Sequence, residues 1–170
     1  YFNKILIISS IVIFHMLPLF LYTRSLFIIG PKKILILVTS IIIFFTLSIQ
    51  NFDYNLIYSG GGIVLHLSNF LLGNNYIFYL FAFFSIFMLL RLSDINFNKN
   101  LIIILILLLM TPQYHIFHKY YDPLVIILFF TLIDVDINFE KIKKFNFFLI
   151  IYIFYILLYF THLINNTLST

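Results

Sequence analysis

The chain is a string of apolar segments separated by short polar connections. A helix that crosses a membrane needs roughly 20 mostly apolar residues, with a range of about 17–25. By that measure a first span is expected at residues 5–22, with His15 and Pro18 inside it. A basic turn containing Arg24, Gly30, Pro31, Lys32 and Lys33 leads to a second span at 34–49. Residues 50–62 are polar and end in Ser59, Gly60, Gly61 and Gly62. The apolar stretch 63–72 carries His66, Ser68 and Asn69; it is too short to span and reads as an interfacial helix. Gly73, Asn74 and Asn75 break it before a third span at 76–90, and residues 91–100 form a second basic connection.

The next region has two readings. Residues 101–110 and 124–133 are apolar, while 111–123 between them are polar and aromatic. Ten residues of helix rise only about 15 Å, half of a hydrocarbon core. The region is therefore either one kinked helix or a hairpin of two short helices whose tip holds part of the polar segment. The basic residues choose between these. Arg24, Lys32 and Lys33 lie in one connection, Arg91 and Lys99 in another, Lys141, Lys143 and Lys144 in a third, and only Lys4 and Lys119 lie elsewhere. Cationic connections stay on the cytoplasmic side during insertion. The hairpin puts all three basic connections on one face, so the hairpin is preferred. A last span at 145–162 leads into the uncharged tail 163–170.

The expected fold is all-α: a polytopic integral membrane bundle of about six transmembrane helices plus one short interfacial helix. Residues 1–170 are expected to form a single transmembrane domain, multi-pass in a bacterial inner membrane or the endoplasmic reticulum, with both ends of the chain on the non-cytoplasmic face. Composition agrees. With 63% hydrophobic residues, 9% charged residues and a mean hydropathy of +1.11, the chain is far from the roughly 25% charged residues of soluble domains. The net charge of +4 is then mostly a topology signal that favours membrane lipids as partners and carries no nucleic-acid footprint. The absence of cysteine excludes disulfides and thiolate chemistry. The chain opens at Tyr1 with neither Met nor a charged leader region, and is expected to be part of a longer polytopic protein.

Two polar clusters carry candidate chemistry, and both fall on the non-cytoplasmic side of this topology. The first is the segment 111–123, where Gln113, Tyr114, His115, His118 and Lys119 lie between Pro112 and Pro123. Polar backbone that dips below the headgroups is tolerated only where protein buries it or it lines a wet cavity, and ionisable residues there mark sites. This patch suits phosphate and sugar hydroxyls. The plainer alternative is an interfacial belt, with Tyr114, Tyr120 and Tyr121 at headgroup depth and Lys119 snorkelling. His115 and His118 lack a third ligand at convincing spacing, so no metal site is assigned. The second cluster is Gly61, Gly62 and His66: glycines ahead of a short helix leave backbone N–H groups available to an anion, or else form a simple flexible turn. Asp53 and Asp122 are weak candidates for a general base; Asp122 equally suits a cap for a helix beginning at Pro123. Asp134, Asp136 and Glu140 with the nearby lysines read as a solvated mixed-charge connection, and His15 is expected to hydrogen-bond within the bundle.

Both clusters resemble parts of the GT-C superfamily of polytopic, lipid-phosphate-sugar-dependent glycosyltransferases. The run Gly60-Gly61-Gly62-Ile63-Val64-Leu65-His66 is similar to the "GGIV" stretch of the dolichyl-phosphate-glucose alpha-1,2-glucosyltransferases. Thr111-Pro112-Gln113-Tyr114, followed by His118-Lys119-Tyr120, resembles the Asn-Arg-His-Tyr loop of those enzymes and the Ser-Gln-Tyr-Phe loop of the GPI mannosyltransferases. The resemblance covers roughly residues 51–130. It implies a polyprenyl-phosphate sugar donor and a glycan or lipid-linked acceptor as partners, no cofactor, and Gln113, Tyr114 and His115 near the donor phosphate or acceptor sugar. The Arg of the first family's loop is replaced by Lys119 alone, and the acidic residue of the family's first external loop has no counterpart here; the resemblance implies that it lies upstream. A secondary transporter with discontinuous helices, or a lipid-handling or structural membrane subunit, is the alternative.

Overall fold

The computed structural model describes residues 2–20, 31–49, 52, 54, 61–109, 116, 124, 127–128, 131–134, 149–150, 152–154 and 156. Of these, 87% are helical and none lies in a strand. The continuous elements are α1 (Phe2–Phe20), α2 (Pro31–Ser48), α3 (Ile63–Leu72), α4 (Tyr76–Ile95) and α5 (Phe97–Leu109).

Local chemistry sets their ends. Pro31 opens α2, where a missing N–H costs nothing and the fixed φ is already helical. Gly73 closes α3 in the left-handed region, at φ 63° and ψ 14°, and donates its N–H to the Asn69 carbonyl at 2.9 Å. The connection expected at 91–100 is helical on both sides of one residue: α4 continues to Ile95, Asn96 breaks the helix, and α5 starts at Phe97. The apolar residues Leu92 and Ile95 prolong α4, and Arg91 is only 5% exposed, its guanidinium 6.0 Å from the Phe87 ring centroid. A long stem lets such a cation lie along apolar surface without ending the helix.

Helix α4 is the hub, packing against α1, α2, α3 and α5. Phe78, Ala82, Met88 and Leu92 from α4 meet Leu6, Ile7, Ile11 and Met16 of α1 in one core. Aromatic contacts bind the periphery: Phe44 of α2 lies edge-on to Tyr79 and Phe83, with ring centroids 6.2 and 5.6 Å apart. Buried hydroxyls do not disturb this core. Ser9, Ser10, Ser40 and Ser85 each return a hydrogen bond to a carbonyl of their own helix, so the polar atom is satisfied locally. The expected intrabundle bond of His15 is present: its Nδ1 lies 2.8 Å from the Ile11 carbonyl and is therefore the protonated nitrogen.

The kinked-helix and hairpin readings are separated by Asp134. Helix α5 leaves the α4–α5 break, and Asp134 returns to that same break, held by Asn96, Lys99 and Asn100. The chain doubles back between residues 100 and 134. Leu128 and Ile133 of the returning limb line a small apolar cavity together with Ile103, Ile104 and Leu107 of α5.

Among the described residues, α4 is the one helix long and apolar enough to cross a membrane, and half of its apolar window is buried inside the fold. The other four helices are apolar over shorter lengths. The fold is therefore an all-helical arrangement around one span-length helix.

Candidate functional site

Gly61 and Gly62 take φ of 101° and 82°, a backbone region that side chains with a Cβ rarely enter. Both are buried. Gly62 is the N-cap of α3 and contributes no side-chain cap; its carbonyl accepts the His66 N–H at 3.3 Å. The helix start is thus pure backbone, with the positive end of the helix dipole behind it. At its other end α3 is tied down by polar contacts. Ser68 donates to the Asn74 carbonyl at 2.8 Å and accepts from the Phe78 N–H at 3.2 Å, and Asn69 donates to Leu65 O and to Asn75 Oδ1. These bonds hold α3 as a short arm folded back on the first turn of α4. Its inner face is Val64, Leu65 and Ser68; His66, the one titratable side chain of α3, is exposed.

The glycine turn meets the first cluster, at Ile116. Gly61 N–H donates to the Ile116 carbonyl at 2.9 Å, and Ile116 N–H donates to Tyr54 Oη at 3.1 Å. Ile116 is 1% exposed and belongs to the core. Tyr54 packs beside Phe52 (ring centroids 6.3 Å apart), and Phe52 in turn contacts Phe78 and Tyr79 of α4 at 5.3 and 5.8 Å. Ile116, inside the histidine-bearing segment, is therefore held through both backbone polar groups, its carbonyl by the glycine turn and its N–H by Tyr54.

A polar joint fixes the base of the excursion. Asn100, fully buried, donates from Nδ2 to the carbonyls of Leu92 and Asp134, both at 2.8 Å, and accepts the Asp134 N–H on Oδ1 at 2.9 Å. The Asp134 carboxylate takes Asn96 Nδ2 at 2.8 Å and Lys99 Nζ at 2.7 Å. The Lys99 hydrogen bond, with that of Asn96 behind it, holds the Asp134 carboxyl below the usual carboxylate range. Asp134 keeps the solvent exposure expected of it, with its side chain 44% exposed, while its backbone N–H and carbonyl meet Asn100 and close the return.

Of the sequence-predicted site residues, Gly61, Gly62 and His66 are described, and the two glycines are brought to Ile116 as above. Gln113, Tyr114, His115, His118, Lys119, Asp53 and Asp122 lie outside the described residues. Sequence reasoning missed Tyr54 and Asn100. One Tyr among 12 and an Asn in an Asn-rich chain carry no local signal of a partner 62 or 34 residues away. Compared with protein-family models, curated proteins and solved structures, the chain matches none.

Proposed function

We propose that this chain is the carboxyl-terminal membrane portion of an integral glycosyltransferase that takes a sugar from a polyprenyl-phosphate-linked donor at the non-cytoplasmic face. One observation carries the reading. The two clusters that resemble the family lie about 50 residues apart in sequence, and the Gly61 to Ile116 hydrogen bond, made at a residue 1% exposed, joins them. A shared donor site requires that proximity.

The outer surface supports a multi-pass membrane setting. Leu35, Phe45, Phe70 and Leu80 are 67%, 63%, 82% and 73% exposed, while Arg91 and Asn100 are buried. Large apolar side chains this exposed on α2, α3 and α4 fit lipid better than water.

In the reaction, an acceptor hydroxyl attacks the anomeric carbon from the face opposite the lipid phosphate. The new carbon–oxygen bond forms as the bond to the phosphate oxygen breaks, and the hydroxyl proton passes to a carboxylate. Lys119, His115 and His118 stabilise the departing phosphate by charge and hydrogen bonds, and Gln113 and Tyr114 orient sugar hydroxyls. Family resemblance assigns the base to an upstream acidic residue, with Asp53 and Asp122 as the candidates within this chain.

Membranes containing the full protein, assayed for transfer from a polyprenyl-phosphate sugar, test the proposal. Alanine at His115, His118 or Lys119 is expected to lower turnover by about 100-fold, the scale of losing one charge-stabilising donor. Unchanged transfer in all three variants overturns it. The doubled-back limb between residues 100 and 134 also favours a transporter reading; saturable uptake of solute into proteoliposomes, with no sugar transfer, would establish that alternative.

A further inference from the structure

Tyr54 stands outside every motif, yet its hydroxyl bonds the backbone of Ile116. We infer that Tyr54 is a positioning residue: its hydroxyl oxygen holds the Ile116 peptide in register against the Gly61–Gly62 turn that precedes α3. The inference rests on the glycosyltransferase reading for its consequence and on geometry for its content.

The backbone of Ile116 has one donor and one acceptor, and both are used. Its carbonyl accepts from Gly61 at 2.9 Å and its N–H donates to Tyr54 at 3.1 Å. With 1% of the residue exposed, neither group can exchange its partner for water without opening the core. The two bonds restrain the peptide in different ways. The Gly61 bond fixes how close the segment comes to α3. The Tyr54 bond prevents the peptide from rotating about that single contact. Tyr54 can serve because it is itself braced: Phe52, two residues earlier, packs on Phe78 and Tyr79, which belong to the hub helix α4. The restraint thus runs from the hub, through an aromatic pair, to a phenol oxygen and then to the peptide. Covalent geometry keeps residue 115 one peptide from this clamp and residue 118 two residues beyond it. A slip of one residue at 116 would displace the whole candidate donor-binding set.

Such a residue touches neither donor nor reacting atoms. Its loss should weaken binding of the pre-aligned donor more than the chemical step, raising KM with little change in kcat.

The cysteine-free chain allows a direct test in the full protein in membranes. Ile116→Cys places a thiol at the clamped position, and its rate of reaction with a maleimide is compared with and without Tyr54→Phe, which removes the hydroxyl and keeps the ring. Loss of one hydrogen bond predicts labelling faster by about three- to tenfold. In a chain with Ile116 intact, Tyr54→Phe should raise the donor KM about threefold or more, with kcat within about twofold. Ile104→Val, in the core beside the small apolar cavity and away from the clamp, loosens packing alone and serves as the control; it should leave the ratio of KM to kcat as in the parent. Unchanged labelling in Tyr54→Phe overturns the clamp, and unchanged KM overturns its positioning role. Failure of the transferase reading looks different: the parent shows no transfer at all, while Tyr54→Phe still accelerates labelling, which leaves the clamp standing.

Discussion

Replacing Asn100 with alanine isolates what holds the doubled-back limb to the hub. The side chain is fully buried and makes three hydrogen bonds, to Leu92 O, Asp134 O and Asp134 N. One amide orientation satisfies all three, since two carbonyls need a donor and one N–H needs an acceptor. Alanine deletes every one and leaves their partners to find water. At about 1 kcal/mol net per bond the sum is about 3 kcal/mol. Water can reach part of Asp134, whose side chain is 44% exposed, which lowers the expected loss to about 2–3 kcal/mol, or about 30- to 150-fold in the unfolding equilibrium. The assay is unfolding of the full chain in mixed micelles by increasing anionic detergent, followed by far-ultraviolet circular dichroism. Lys99→Ala is the reference, because it removes only the ion pair of two half-exposed side chains at 2.7 Å, and such pairs contribute little. Asn100→Asp sharpens the test. A carboxylate there faces two carbonyl oxygens and donates to neither, so this variant should be less stable than Asn100→Ala at neutral pH. It should recover in part as acid restores one donor. If Asn100→Ala loses no more stability than Lys99→Ala, the joint does not hold the limb.

Two further outcomes follow from local geometry. The Asp134 carboxyl is held below its usual range by Lys99 and then Asn96, so its contribution is complete above the unfolded-state value of about 4 and is lost as pH falls through the lower folded value. The stability difference between the parent and Asp134→Asn should accordingly be flat from about pH 5 to 8 and shrink under more acid conditions; a difference that grows on acidification refutes the assignment. Gly73 sits at φ +63°, and a Cβ placed there would meet nothing within 4 Å, so Gly73→Ala should cost about 1 kcal/mol of conformational strain alone. Gly73→Asn should cost less, since Asn visits this region more readily, and equal losses in the same detergent titration would show that something other than backbone conformation is at stake.

The helices and most of their ends were legible in the residue order alone. Apolar runs long enough to bury a face form helices, and Gly73 and Pro31 punctuate them, because these signals act over a few residues. The same local logic read α3 as running over 63–72, and the placement of the lysines and arginines favoured a chain that doubles back, as it does between residues 100 and 134. It misjudged Arg91, taken for part of a basic loop, because charge in a sequence says nothing of a neighbouring Phe87 ring, and it gave no sign that the backbone of the exposed Asp134 meets a buried Asn100. Packing in three dimensions was needed to make α4 the hub, to bring Gly61 to Ile116 and to complete that contact with Tyr54. Those pairings join residues 55 and 62 positions apart. Backbone groups are the same in every residue, so no side-chain pattern records which peptide another will meet. That choice is made when the helices pack and each buried N–H and C=O must find a partner.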